Sequence, residues 1–243
     1  MIPADHPRFH SLVTRERLAE FAKKGIVSWE GLTAHGRGEA FDYLLGEKTS
    51  ESAQHAERIA AALILSARHP VISVNGNTAA LAAQEIGLLQ KACGAMVEVN
   101  LFHRTEIRVN LIESLLTDAG VNVFSGQAER LLPLSHDRGW CRREGIYSAD
   151  VVLVPLEDGD RCKTLVTLGK TVIAIDLNPL SRTARCATLT IVDELTRALP
   201  EITRACGELS KDGCRGLITS VDNDYLLSAA IREMTTRLAH ALD

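Results

Sequence analysis

Three short segments gather most of the side chains that could do chemistry. Asn75-Gly76-Asn77 follows the apolar run Val71 to Val74 and precedes an Ala- and Leu-rich stretch, so it ends a strand and opens a helix. Gly76 permits a turn or the close approach of a ligand, and the helix start offers N–H groups to an anion. A plain turn with Asn77 as the helix cap accounts for the same residues. Asp176-Leu177-Asn178-Pro179 holds the matching place after Thr171 to Ile175. A carboxylate there can accept hydrogen bonds from a ribose or purine, and Pro179 suits the first turn of the next helix. Arg182 would lie one turn in, near any bound phosphate; an Asn cap with a surface arginine is the alternative. Glu157-Asp158-Gly159-Asp160-Arg161 packs three carboxylates and an arginine around one glycine. Asp158 and Asp160 are hard oxygen donors of the kind that hold Mg²⁺ together with substrate phosphates. A solvated loop capping the next helix would look the same.

Further cations come from Arg15-Glu16-Arg17, from His35-Gly36-Arg37-Gly38-Glu39 and from His103-Arg104. Arginine suits bidentate phosphate contacts, although on an amphipathic helix it is ordinarily solvated. No G-x-x-x-x-G-K-[ST] loop is present, and no G-x-G-x-x-G follows a strand. Gly36-Arg37-Gly38 falls inside a predicted helix with no strand before it. These absences argue against a P-loop enzyme and a Rossmann oxidoreductase, and leave nucleotide binding by side chains open.

The elements that must position these groups alternate between helix and strand periods. Helices are predicted at Ser11 to Lys24 and Ser28 to Leu45, each opened by a capping serine, and at Glu51 to Arg68. Then follow strand Val71 to Val74, helix Ala79 to Cys93, strand Met96 to Asn100, helix Arg104 to Leu116 and strand Val121 to Phe124. Gln127 to Ser148 is a long irregular excursion. Strand Val151 to Pro155, a helix near Lys163 to Leu168, strand Thr171 to Ile175, a short helix from Leu180 and strand Thr188 to Val192 come next. A helix from Asp193 to Cys206, a polar linker around Ser210 to Gly216 and a last helix from Asp224 to Leu242 complete the chain. The expectation is a single Rossmann-like α/β domain over 1–243, with an N-terminal helical segment (1–69), an α/β core (70–208) and a C-terminal helix (209–243). Its sheet is largely parallel and covered by helices on both faces. Ligands in such a sheet bind beyond the strand carboxyl ends, where all three segments fall.

The chain has 243 residues, 46% hydrophobic and 24% charged, with formal net charge −4. That is an ordinary globular composition with no basic field for nucleic acid or an anionic membrane. Aromatic residues, at 4%, are too few for base-stacking platforms. The six cysteines form no C-x-x-C pair, which speaks against a zinc site or a disulfide framework. With no signal peptide and no run long enough to span a bilayer, the expected location is the cytoplasm.

Taken in order, the stretches HPR (His6 to Arg8), AHGRGEAFDYLLGE (Ala34 to Glu47), PVISVNGN (Pro70 to Asn77), NLFHRTE (Asn100 to Glu106), ADVVLVPLEDGDR (Ala149 to Arg161) and IDLNPLSRTAR (Ile175 to Arg185) resemble the archaeal phosphopantothenate synthetase family. The resemblance implies an ATP-dependent ligase of coenzyme A biosynthesis. Such an enzyme joins 4-phosphopantoate to β-alanine, releasing AMP and diphosphate, and works as a homodimer. It carries ATP contacts onto Arg15, Arg37, Asp176, Leu177, Asn178, Arg182, Thr183, Glu194 and Leu195; where this chain has Glu194-Leu195, relatives commonly have Asn-Ile. On that reading Arg37 and Arg182 do the catalytic work on the phosphates, with Mg²⁺ bridging their oxygens and Asp158 and Asp160 as its candidate ligands. Asn75, Gly76, Asn77 and Arg104 are the candidates for holding 4-phosphopantoate. The competing class is a nucleotide-binding regulatory protein without turnover.

Overall fold

The computed structural model describes every residue except Met1, Ala4, Pro7 and Asp243; Pro7 of the HPR stretch therefore lies outside the described residues. Three helices open the chain: α1 (Phe9–Lys23), α2 (Trp29–Leu45) and α3 (Glu51–Ser66). Ser28 caps α2 by accepting the Gly31 N–H, and Ser50 caps α3 by accepting that of Ala53. Ser11 is not a cap. The helix has already begun at Phe9, so the Ser11 hydroxyl meets a carbonyl and donates to Arg8.

The core follows as β1 (Pro70–Val74), α4 (Gly76–Cys93), β2 (Met96–Val99), α5 (Glu106–Asp118), a small hairpin of β3 (Glu129–Arg130) and β4 (Trp140–Cys141), β5 (Val151–Pro155), α6 (Gly159–Thr167), β6 (Thr171–Ile175), α7 (Arg182–Cys186), β7 (Leu189–Ile191) and α8 (Leu195–Glu208). Two helices, α9 (Lys211–Ile218) and α10 (Asn223–Ala239), end it. Five strands form one parallel sheet in the order β2-β1-β5-β6-β7. The chain winds outward from β1 to β2 and then returns to build the other half from β5. The direction of winding thus reverses between β1 and β5, where a doubly wound sheet opens its ligand crevice.

Successive strand residues point to opposite faces. On one face Ile72, Val97, Leu153 and Ile173 pack with apolar residues of α3, α4 and α8. On the other, Val71, Val152 and Val172 meet Cys162 and Leu165 of α6 and Leu132, Cys141 and Ile146 of the 127–148 excursion. The excursion therefore supplies core as well as loop, and it carries the buried Arg138 and Arg142.

Several predicted boundaries move. Val121 to Phe124 makes only a single parallel bridge, Val97 to Val123, and is not a strand of the sheet. The supposed linker at Ser210 is helix α9: Ser210 caps it, and Cys214 is buried. Asn75, rather than Asn77, caps α4, so that helix begins at Gly76. Pro179 lies in the turn before α7, and Arg182 is the first residue of that five-residue helix instead of one turn in. All six cysteines are free. Among the described residues no helix is long and apolar enough to cross a membrane.

Candidate active site

At the end of β1, Asn75 is buried with its whole amide engaged. Its oxygen accepts the Thr78 N–H (3.0 Å) and hydroxyl (3.1 Å), and its nitrogen donates to the carbonyls of Pro155 (3.0 Å) and Leu156 (3.1 Å). It thus staples β1 to β5 across the switch point. Leu156 holds a φ of +54°, uncommon for a side chain with a Cβ. Gly76 is required by close approach: a Cβ there would lie 2.2 Å from the Ile26 carbonyl oxygen. Asn77 donates to the Gly31 carbonyl (2.8 Å), tying α4 to α2.

The loop after β5 is built around Glu157. Its buried carboxylate pairs with Arg161, and Arg138 Nη1 comes within 3.5 Å from the excursion. Arg161, wholly buried, also donates to Ser73 Oγ on β1 (2.9 Å). Asp158 caps α6 by accepting the Asp160 N–H (3.0 Å). Its second oxygen has no hydrogen-bond partner and lies 3.4 Å from His136 Nε2, whose ring stacks on Phe102 at 4.7 Å. Asp160 is ion-paired with Arg182. His136, Asp158 and Asp160 each present one donor atom within a 4.8 Å cluster. The post-β5 and post-β6 loops interlock here. The Thr183 hydroxyl donates to the Glu157 carbonyl (2.9 Å), and a Cβ on Gly159 would lie 2.6 Å from Arg182 Cβ. Arg104 is mostly buried, its N–H donating to Asp137 (3.0 Å) and its Nη2 to Glu106 (3.2 Å).

After β6, the Asp176 carboxylate accepts the Asn178 N–H (2.9 Å) and the Ser181 hydroxyl. Burial pushes its pKa up, while those bonds and the charge of Arg37 pull it down. Asn178 turns the chain by accepting the Leu180 N–H. Arg37 stands on α2, exposed, with no hydrogen-bond or ion-pair partner among the described residues. Gly38 of that helix faces Leu177, which is core. Arg15 on α1 and Arg8 both pair with Glu39 of α2 (2.9 and 3.0 Å). After β7, Glu194 caps α8 through the Thr196 N–H (2.7 Å), and Leu195 is buried.

The structure therefore gathers Arg37, Asp176, Leu177 and Asn178 at one end of the sheet, with Arg182, Thr183, Asp158 and Asp160 interlocked beside them. A large cavity, about 610 Å³, lies elsewhere, at the amino end of β2 between Gln90, Met96, Asn122 and Phe124. Chemistry and volume disagree, and chemistry selects the site: the large cavity gathers no charged group.

A family profile described as phosphopantothenate/pantothenate synthetase matches residues 52–237. The chain belongs to that family. It is therefore an enzyme of the ligase class. A 4-phosphopantoate–beta-alanine ligase of Methanospirillum hungatei is 60% identical over 243 residues, covering both chains completely. Enzymes of the same name from Methanosarcina mazei and Thermococcus kodakarensis are 54% and 49% identical, each covering 98% of this chain and 95% of the relative. Several residues around the strand ends escaped the sequence: Arg138, His136 and the trio Asp42, Asp193 and Arg197; Glu157 and Arg161 were visible in the acidic loop, but not as a buried pair. Two of these contacts had a signal, since Glu157–Arg161 and Asp193–Arg197 are i, i+4 pairs.

Proposed function

We propose that this synthetase joins 4-phosphopantoate to β-alanine at the expense of ATP, giving 4′-phosphopantothenate, AMP and diphosphate, as a homodimer serving coenzyme A biosynthesis. The full-length 60% identity to a ligase bearing that name carries the reading. A carboxylate does not acylate an amine at neutral pH, so it must first gain a leaving group. A pantoate carboxylate oxygen attacks the α-phosphorus, the bond to the β-phosphate bridging oxygen breaks, and diphosphate leaves. The neutral amine of β-alanine then attacks the acyl carbon of the adenylate, AMP leaves, and one amine proton is lost.

In-line attack builds charge on phosphate oxygens, so preorganised cations supply most of the stabilisation. Arg37 fits that task because it is free and close enough to Asp176 to be felt there. Arg15 and Arg182 join it by exchanging Glu39 and Asp160 for phosphate. Asp176 holds the nucleoside; buried Leu177, Leu195 and Thr183 contribute through backbone. The Asn75 amide and the Asn77 amide nitrogen already have protein partners. Phosphopantoate recognition therefore falls more on Arg104 and the start of α4. Mg²⁺ would neutralise charge on the triphosphate; Asp158, with one oxygen that accepts no hydrogen bond and faces His136, fits it as a protein ligand better than Asp160.

Mass spectrometry of the full chain with ATP, 4-phosphopantoate and β-alanine should show AMP and the amide only when all three are present. Turnover to ADP, or equal kcat/KM with unphosphorylated pantoate, overturns the reading. A site holding a phosphate leaves its donors unpaired when that group is missing.

A further inference from the structure

The helix that carries Arg37 is a poor one. Helix α2 contains Gly31, Gly36 and Gly38, and each interior glycine costs about 0.5–1 kcal/mol relative to alanine. One turn beyond Gly38, Asp42 is buried and meets Arg197 of α8 across 155 positions of sequence. The contact is bidentate: Nη2 to Oδ1 at 2.5 Å and Nη1 to Oδ2 at 3.2 Å. The same guanidinium donates through Nε (2.9 Å) and Nη2 (2.5 Å) to Oδ1 of Asp193. Asp193 is almost fully buried directly after β7, accepts the Glu194 N–H (2.7 Å), and holds the Thr49 hydroxyl (2.6 Å) through its other oxygen. One arginine thus fastens α2, the α2–α3 connection and the post-β7 turn to each other. Arg37 is five residues from Asp42, about 7.5 Å along the helix axis.

We infer that Arg197 is a positioning residue of the nucleotide site, holding α2 so that Arg37 stands at a fixed place opposite Asp176. The inference rests on the reading of Arg37 as an ATP ligand. Lysine cannot reproduce it, because a point charge cannot grip two carboxylates through a planar fork. A buried ion pair is not needed for stability as such, since apolar replacements often serve as well. Its value here is geometric.

Steady-state kinetics of Arg197→Lys, Asp42→Asn, their double variant and Arg37→Ala test this, with thermal unfolding to confirm folding. Arg197→Lys and Asp42→Asn should each raise the KM for ATP about tenfold, since a shift of a fraction of an ångström costs less than the roughly hundredfold that a misplacement of about 1 Å can. The KM for 4-phosphopantoate should stay within about twofold, because the residues proposed to hold it, Arg104 and the start of α4, belong to neither α2 nor α8. The double variant should be no worse than the poorer single, as expected for one shared contact. A merely structural role would lower Tm while moving both KM values together or neither, and that result overturns the inference. If Arg37→Ala raises the ATP KM but the other two do not, the clamp is wrong and the site reading survives. If Arg37→Ala leaves ATP binding intact, both fail.

Discussion

The ends of β1 and β6 occupy equivalent places in the sheet and carry similar sequences, Asn-Gly-Asn and Asp-Leu-Asn, yet they are put to different use. At β1, Asn75 bonds to Thr78 and to two carbonyls of the neighbouring strand's exit, and Asn77 reaches back to α2. Those side chains hold three parts of the molecule together. At β6 the loop satisfies itself through Asp176, Asn178 and Ser181, and the cation opposite it, Arg37, has no hydrogen-bond or ion-pair partner among the described residues. A free cation beside a buried carboxylate contributes little as architecture, and it is what the proposed nucleotide site would use. Polar residues at a strand end therefore identify a site only where their hydrogen-bonding capacity remains after folding.

The sharpest way to break this contrast is Arg37→Ala. Turnover should fall about 100- to 1,000-fold, the usual cost of removing one preorganised donor from a charged transition state. Tm should be unchanged, because Arg37 has no hydrogen-bond or ion-pair partner to lose among the described residues; near-native activity would remove it from the proposed site. At the other strand end the effect should invert. Gly76→Ala drives a Cβ against the Ile26 carbonyl and should cost about 3 kcal/mol in denaturant unfolding. Asn75→Ala orphans two carbonyls and a helix cap, for about 2–3 kcal/mol. Native stability in either variant would contradict the architectural role.

Two carboxyls lifted by burial extend the comparison. Glu57 of α3, beside Asp193 and Glu201, is pushed up to about 9 by burial first and then by those charges. Its folded value thus exceeds its ordinary value of 4.5. The associated stability is fully present below pH 4.5 and declines as pH rises toward 9, by at most about 1.4 kcal/mol per unit. Glu57→Gln cannot ionise, so its Tm should be flatter than the wild type's between pH 6 and pH 8. A parallel decline in both proteins would refute the assignment. Asp176, by contrast, lies near the guanidinium of Arg37, and in the proposed reading it holds the nucleoside. Asp176→Asn should raise the KM for ATP about tenfold, or about 1.4 kcal/mol, and leave the Mg²⁺ dependence of the rate unaltered. A steep rise in metal requirement at unchanged ATP affinity would make Asp176 a metal ligand instead.

Much of this was legible in one dimension. Continuous apolar runs such as Val71 to Val74 and Val151 to Pro155 announce strands covered on both faces, and the three post-strand segments do fall at the carboxyl edge. Helix α9 was missed because two glycines and several polar residues imitate a linker, while its Ser210 cap and the burial of Cys214 outweigh them. The 127–148 excursion was opaque for a different reason. Its buried arginines find their carboxylates, Glu157 and Glu113, on elements distant in sequence, and no local periodicity records such a match.

By itself, then, the order of residues determined the alternation of helices and strands, the parallel sheet and the family, since these follow from local periodicity and from motifs read along the chain. It also located the candidate ligands to within a loop. Which of them remain available was decided only by the tertiary structure. Asn75 and Asn77 are engaged because β5 comes to rest against β1 and α2 against α4; Asp160 is taken by an arginine 22 residues away; Arg37 meets no hydrogen-bond or ion-pair partner among the described residues. Hydrogen-bonding capacity is a property of neighbours in space, and a linear sequence names the donors and acceptors without saying which of them will meet.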